Sequence, residues 1–283
     1  MIHTPDYLLI GHLTADLTPN GRSLGGTVSF AARTAHAFGL HTGILTSAAS
    51  DEPFIEQLAP YAEVRSIPAA HTSTFENIYD ERGKRVQYVR GVASKLHAGH
   101  VPPEWHAAPL VHLAPLTDEV DPQIARLFSG STVLLTLQGW LRRWDQDGRV
   151  HFKRWFDPEV LRHIDMVVFS EEDIAPAPEL EALFAHAVPH LFVTRAERGG
   201  TYYHRGQPIP WDTPQVPVVD ATGAGDVFAA AVLAGQHLLD SNLEAATRVA
   251  AVLGANAVTR RGIDGTPTPA EVEKALAAVR QNA

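Results

Sequence analysis

The chain has 283 residues with 45% hydrophobic and 19% charged side chains, enough apolar material for a sizeable core and too much for a disordered chain. Its net charge of −9 argues against a nucleic-acid or anionic-membrane surface, and the absence of cysteine excludes disulfide frameworks and thiolate metal sites. The opening stretch MIHTPDYLLIGHL lacks the basic segment and longer apolar run of a signal peptide, so a cytoplasmic protein without nucleic-acid or membrane partners is expected.

In chain order, residues 7–13 (YLLIGHL) predict a strand, 27–38 a helix, 43–48 a strand and 51–60 a helix. Residues 74–89 (TFENIYDERGKRVQYV) alternate polar and apolar side chains around a charged turn at 81–84. Both faces are too wet for a central strand, and a protruding hairpin is expected. Strands at 110–116, 132–137, 166–170 and 190–194 then alternate with helices at 121–129, 157–164 and 178–187. A Gly- and Pro-rich hairpin region spans 201–219, and only helices follow, at 224–236, 242–258 and 269–280. This rhythm predicts one α/β domain over 1–283: a mostly parallel central sheet with helices on both faces, binding its ligand at the carboxyl edge. A small β lid is expected from the hairpin at 74–90, with the loop at 13–24 as a further lid segment.

The stretch VVDATGAGDVFAAAVLAG, Val218 to Gly235, places small residues where a strand-like run turns into an apolar helix. The free N–H groups of that helix start, with partial positive charge, suit an anion, and glycine lets a phosphoryl group approach the backbone. Asp226 falls in the first turn, where a carboxylate is electrostatically comfortable and can take a proton from a hydroxyl; the plain alternative is a dipole-capping carboxylate. A phosphate site of the GxxxxGK[ST] type is excluded, because the sole Gly-Lys pair, Gly83-Lys84, is followed by Arg85 in the hairpin.

With DATGAGD about four-fifths along the chain, GHLTAD near the start, LGGTVSFAARTAHAFG, LFVTRAERGG and AAVLGANAVTRRGIDGTP, the sequence resembles the ribokinase/PfkB carbohydrate kinase family. The resemblance spans nearly the whole chain in the right order. It implies a ribokinase-like three-layer α/β sandwich and transfer of the ATP γ-phosphate to a hydroxyl of a sugar, polyol or nucleoside. It further implies Asp226 as general base, with the backbone amides of Gly223, Ala224 and Gly225 as anion hole. Substrate hydroxyls would be held by Asp16, Gly25 and Gly26, with Phe30, Gln138 and Arg142 at the pocket. The nucleotide would be met by Ser170, Thr194, Arg195, Ala196, Thr222, Gly223, Gly225 and Asn256. Mg²⁺ would be held mostly by phosphates and water, with Asp173 acting on it indirectly, and a monovalent cation is left open.

The departures from the family pattern are specific. SEED places Ser170 and Asp173 where Asn-x-x-Glu is common, a shorter reach whose plain alternative is a cap on the following segment. Ala196 replaces the usual turn glycine, and Phe30 replaces an Asn common in sugar kinases, which points away from ribose and fructose toward a cyclic polyol such as inositol. Among 15 histidines, the pairs His97 with His100 and His186 with His190 lack a third ligand at readable spacing and are read as solvated. Residues Arg82 to Arg85 with Arg90 are read as a solvated hairpin face. Two other classes stay open: a nucleoside kinase of the same fold, with Phe30, Phe75 and Tyr79 as available stacking rings, and a non-catalytic sugar or nucleotide sensor. Monomer and homodimer are both open.

Overall fold

The structure, a computed structural model, describes residues 3–79 and 85–281. The charged turn expected at 81–84, with Arg82, Gly83 and Lys84, and the side chains of Tyr79 and Arg85, lie outside the described residues.

Residues Tyr7–Ile10 (β1) form a fully buried strand. The chain then leaves the central sheet for a two-residue hairpin, Thr14–Thr18 (β2) and Gly21–Gly25 (β3), where a loop was expected. Thr27–Ala37 (α1), Thr42–Ala49 (β4), Phe54–Leu58 (α2) and Glu63–Ala69 (β5) follow. β5 lies outside the expected strands. Thr74–Tyr79 (β6) and Arg85–Gly91 (β7) pair antiparallel, and with β2 and β3 they make a four-stranded sheet in the order β3-β2-β6-β7.

Leu110–Leu113 (β8) and Thr132–Thr136 (β9) return the chain to the central sheet, connected by a 3₁₀ helix over Pro122–Phe128 rather than the expected α-helix. A second hairpin, Arg142–Trp144 (β10) and Val150–Phe152 (β11), precedes Pro158–Leu161 (α3), Met166–Ser170 (β12), Leu180–Ala187 (α4) and His190–Thr194 (β13). Gly200–His204 (β14) and Gln207–Trp211 (β15) complete the sheet, and Ala224–Leu238 (α5), Leu243–Ala257 (α6) and Pro269–Gln281 (α7) end the fold.

Among the described residues the central sheet has nine strands in the order β15-β14-β13-β12-β9-β8-β1-β4-β5, parallel from β13 to β5 and antiparallel at β14 and β15. Side chains alternate across it. Tyr7, Leu9, Ile44, Leu134, Val168 and Phe192 face the layer of α1, α2, α5, α6 and α7. Leu8, Ile10, Leu45, Val111, Leu135 and Val167 face the layer of α3, α4 and the 3₁₀ turns. Such near-continuous apolar strands are what a sheet buried on both faces requires. β1 leads to β4 through one layer and β8 to β9 through the other, so the crevice beyond the carboxyl ends of β1 and β8 is the topological switch point. No described helix is long and apolar enough to cross a membrane.

The four-stranded sheet hangs on its stalks by a buried clasp. His12, between β1 and β2, donates its Nε2–H to the Ser94 carbonyl at 2.8 Å, leaving Nδ1 to accept from the Ser73 hydroxyl at 2.7 Å. Ser73 precedes β6 and Ser94 follows β7, so one imidazole ties together three of the crossings between the sheets. The β10–β11 hairpin clips the far edge, where Val89 N–H donates to the Gly148 carbonyl at 2.8 Å and Arg90 to that of Asp147 at 3.1 Å.

Candidate active site

The crevice at the switch point is lined from three directions. From the central sheet, β1 runs into the stretch carrying Asp16, β9 into Gln138, β12 into Ser170 and Asp173, and β13 into Thr194, which pairs with Ser170 across the ladder. From the helical layer, the start of α5 brings Asp226 beside the start of α1. From the four-stranded sheet, Phe75 packs with Val89 and Leu116, and the Arg142 guanidinium stacks 5.7 Å from its ring centroid.

Gly223 is the residue before α5 and adopts φ 80°, a left-handed conformation that costs glycine nothing. A Cβ there would collide with the Phe30 ring. Phe30 is 2% exposed and underlies this turn, so it shapes the helix start rather than offering a face to a ligand, a correction to its expected place on the pocket wall. The turn is braced from behind. Val219 and Asp220 N–H both donate to the Val258 carbonyl, and the Asp220 carboxylate accepts from Thr222 N–H and Gly262 N–H, each at 2.9 Å. Partial burial pushes the Asp220 carboxyl up, but those donors and the Arg261 charge outweigh it and hold the group below its usual range.

Asp226 is part-buried, and its Oδ1 accepts from the Thr27 hydroxyl at 2.7 Å. Burial pushes its carboxyl up to about 6; the Thr27 hydrogen bond and the Arg142 charge pull down, while the carboxylates of Asp173 and Asp16 push up. Asp16 is also raised, chiefly by burial, against a 2.8 Å hydrogen bond from Thr14 and the charge of Arg142. Its carboxylate lies against Gly25, where any Cβ would strike it. Gly26 follows as the residue capping α1, its carbonyl accepting from Ser29 N–H at 2.9 Å. Three carboxylates thus share one crevice with one guanidinium.

Asp173 accepts from Gln138 Nε2 at 3.0 Å and from Ser170 N–H at 2.9 Å. The SEED stretch therefore caps itself locally, and Gln138, just beyond β9, donates a side-chain amide to it. Arg195 departs from its expected place: its guanidinium is spent on Glu181, Glu171, the Val193 carbonyl and the Thr201 hydroxyl, so it buttresses β13. Ala196 takes φ 49°, the left-handed conformation that a glycine would adopt freely. Asn256 lies in the last turn of α6, two residues before the Val258 carbonyl that braces the Val219–Thr222 segment. Among the described residues no group of three or more His, Asp and Glu is gathered to hold a metal.

The family profile described as pfkB family carbohydrate kinase matches residues 158–270, which include the α5 turn and the segments that brace it. Over that segment the chain matches the PfkB carbohydrate kinase family, and its fold is the ribokinase-like one. That match and the kinase relatives that follow support a kinase of the sugar and nucleoside class. It is 26% identical over 260 residues to a cytidine kinase from Thermococcus kodakarensis, covering 81% of this chain and 88% of that one. It is 25% identical over 292 residues to a fructokinase from Klebsiella pneumoniae, covering 90% and 93%. A pyrophosphate-dependent kinase of the ribokinase family, solved with a pyrophosphate analog and myo-inositol, superposes with a TM-score of 0.78 at 17% identity, over 95% of this chain and 99% of that one. Thr27, whose hydroxyl meets Asp226, was not among the residues expected from the sequence. Its signal was its place directly after Gly25-Gly26, opening a helix whose first turn faces the α5 start.

Proposed function

We propose that this PfkB-family kinase transfers the γ-phosphate of ATP to a hydroxyl of a sugar or cyclic polyol, with Asp226 as general base and the amides of Gly223, Ala224 and Gly225 as anion hole. The observation that carries this reading is the Asp226 carboxyl, raised to about 6 beside the start of α5 and close enough to Asp16 and Arg142 to feel their charges. A base should titrate near working pH, and burial moves this carboxyl in that direction.

In the reaction the acceptor hydroxyl gives its proton to Asp226 as its oxygen bonds the γ-phosphorus. The bridging bond to ADP breaks on the opposite side, and ADP leaves with that electron pair. Asp16 with Gly25 and Gly26 orients the acceptor, and the α5 amides meet the charge on the migrating phosphoryl group. The four-stranded sheet serves as lid and keeps water away. Mg²⁺ would neutralise the phosphates. Both Asp173 oxygens already accept hydrogen bonds, which fits an ion held through phosphate and water with Asp173 contributing charge from behind.

The nucleoside reading draws on the cytidine kinase relative. Against it, Phe30 is covered by Gly223 and Phe75 by Arg142, and both rings are buried, which leaves neither free to stack on a base. The test is ADP release from ATP over fructose, ribose, myo-inositol and cytidine, repeated with pyrophosphate as donor and followed by ³¹P NMR. Turnover on a sugar or polyol supports the proposal. Turnover on cytidine alone replaces it with the nucleoside reading, and binding of ATP without turnover on any acceptor replaces it with the sensor.

A further inference from the structure

We propose that Thr27 is a positioning residue: its hydroxyl pins Oδ1 of Asp226, so that Oδ2 alone is presented to the acceptor hydroxyl. This rests on the general-base reading above and adds to it the orientation of the carboxylate. Thr27 is 2% exposed, and its Oγ1–H donates to Oδ1 at 2.7 Å, whereas among the described residues Oδ2 accepts no hydrogen bond. A carboxylate held at one oxygen loses its freedom to rotate, and the lone pairs of the other point in a fixed direction.

The geometry makes Thr27 more than a neighbour. It opens α1 directly after Gly25-Gly26, and Gly25 abuts the Asp16 carboxylate, so the Gly25–Thr27 entry into α1 meets both the acceptor-side carboxylate and the base. The Ser29 hydroxyl locks that turn by donating to the Gly25 carbonyl at 2.7 Å. The charged groups acting on Asp226 are Arg142 from the start of β10, Asp173 from beyond β12 and Asp16 from β2. Thr27 stabilises the ionised form against burial, so its removal favours the protonated form.

The experiment compares Thr27→Val and Thr27→Ser with the wild type by two readouts. The first, needing no acceptor, is the pH titration of the ¹³C-labelled Asp226 carboxyl resonance, assigned by its loss in Asp226→Asn. The Val variant is expected to titrate at higher pH than the wild type, and the Ser variant at the wild-type position. The second is the pH profile of kcat with ATP and whichever of fructose, myo-inositol and cytidine turns over. The Val variant should lose about tenfold in kcat at pH 7 with the KM for ATP unchanged, and Ser should restore most of it. Should the Val variant fail to fold, Thr27→Ala carries the same expectation. An unmoved titration, or a Ser variant as impaired as Val, overturns the proposal. A moved titration with none of the three compounds phosphorylated upholds the positioning and removes the kinase reading instead.

Discussion

At Asp226 the requirements of chemistry and of stability pull in opposite directions. Its carboxyl is raised to about 6 mainly by burial, so it is mostly ionised at neutral pH but only weakly hydrated. Asp226→Asn is expected to lower kcat by about 10²- to 10⁴-fold with ATP and acceptor binding little changed, as measured by steady-state kinetics and calorimetry. In the wild type, kcat should fall as pH drops through about 6, because protonation removes the base, and the Asn variant should lack that limb. Asp16→Ala should raise the acceptor KM by roughly tenfold or more while leaving that of ATP in place; the reverse pattern would reassign the two pockets. Asp226, Asp16 and the three small residues were singled out because each sits in a compact motif. Thr27 was not, since its partner lies 199 positions away and only the meeting of two helix starts joins them. Arg195 misled for a related reason: a guanidinium at a sheet's end reads as a ligand until Glu171 and Glu181 appear beside it.

The elements that matter most are the opening turns of α1 and α5, which meet over the Phe30 ring. Gly223→Ala is expected to destabilise the protein by about 1–3 kcal/mol, since a Cβ at φ 80° is strained and strikes Phe30. It should also cut turnover, by displacing the amides of the anion hole. Combining it with Phe30→Ala should cost less in melting temperature than the two changes summed, the signature of a shared contact. The parallel strands and long helices were readable from their apolar runs. The elements outside the reading were polar, partly exposed or at a sheet edge. β5 is an edge strand that carries Pro68, β2 and β3 flank a Pro-Asn turn with exposed side chains, and β10–β11 are three residues each. Their position is set by what they cover, which no local pattern records.

Across the whole molecule, two buried titrations set the limits of pH stability in opposite directions. His112 sits in the middle of the central sheet between Tyr7 and Thr136, and burial lowers its pKa to about 3. A depressed folded value means that its contribution is fully present above pH 6.5 and is lost as pH falls toward 3, where the neutral ring must charge. Asp226 is the reverse: with a raised folded value its contribution is present below pH 3.8 and lost as pH climbs through about 6. Thermal melting of Asp226→Asn should therefore exceed that of the wild type by a few degrees at pH 8, on the order of 1–3 kcal/mol, and the gap should close toward pH 4. A wild type that melts higher than the Asn variant at pH 8 would contradict the strained-carboxylate account. The His12 clasp has a mechanical corollary. Because a single ring bridges Ser73 and Ser94, the stalks of the smaller sheet cannot loosen one at a time. The amide protons of Ala15 and Ala93, both held by Ser73, should exchange with deuterium at a common rate, and replacing His12 should speed both together.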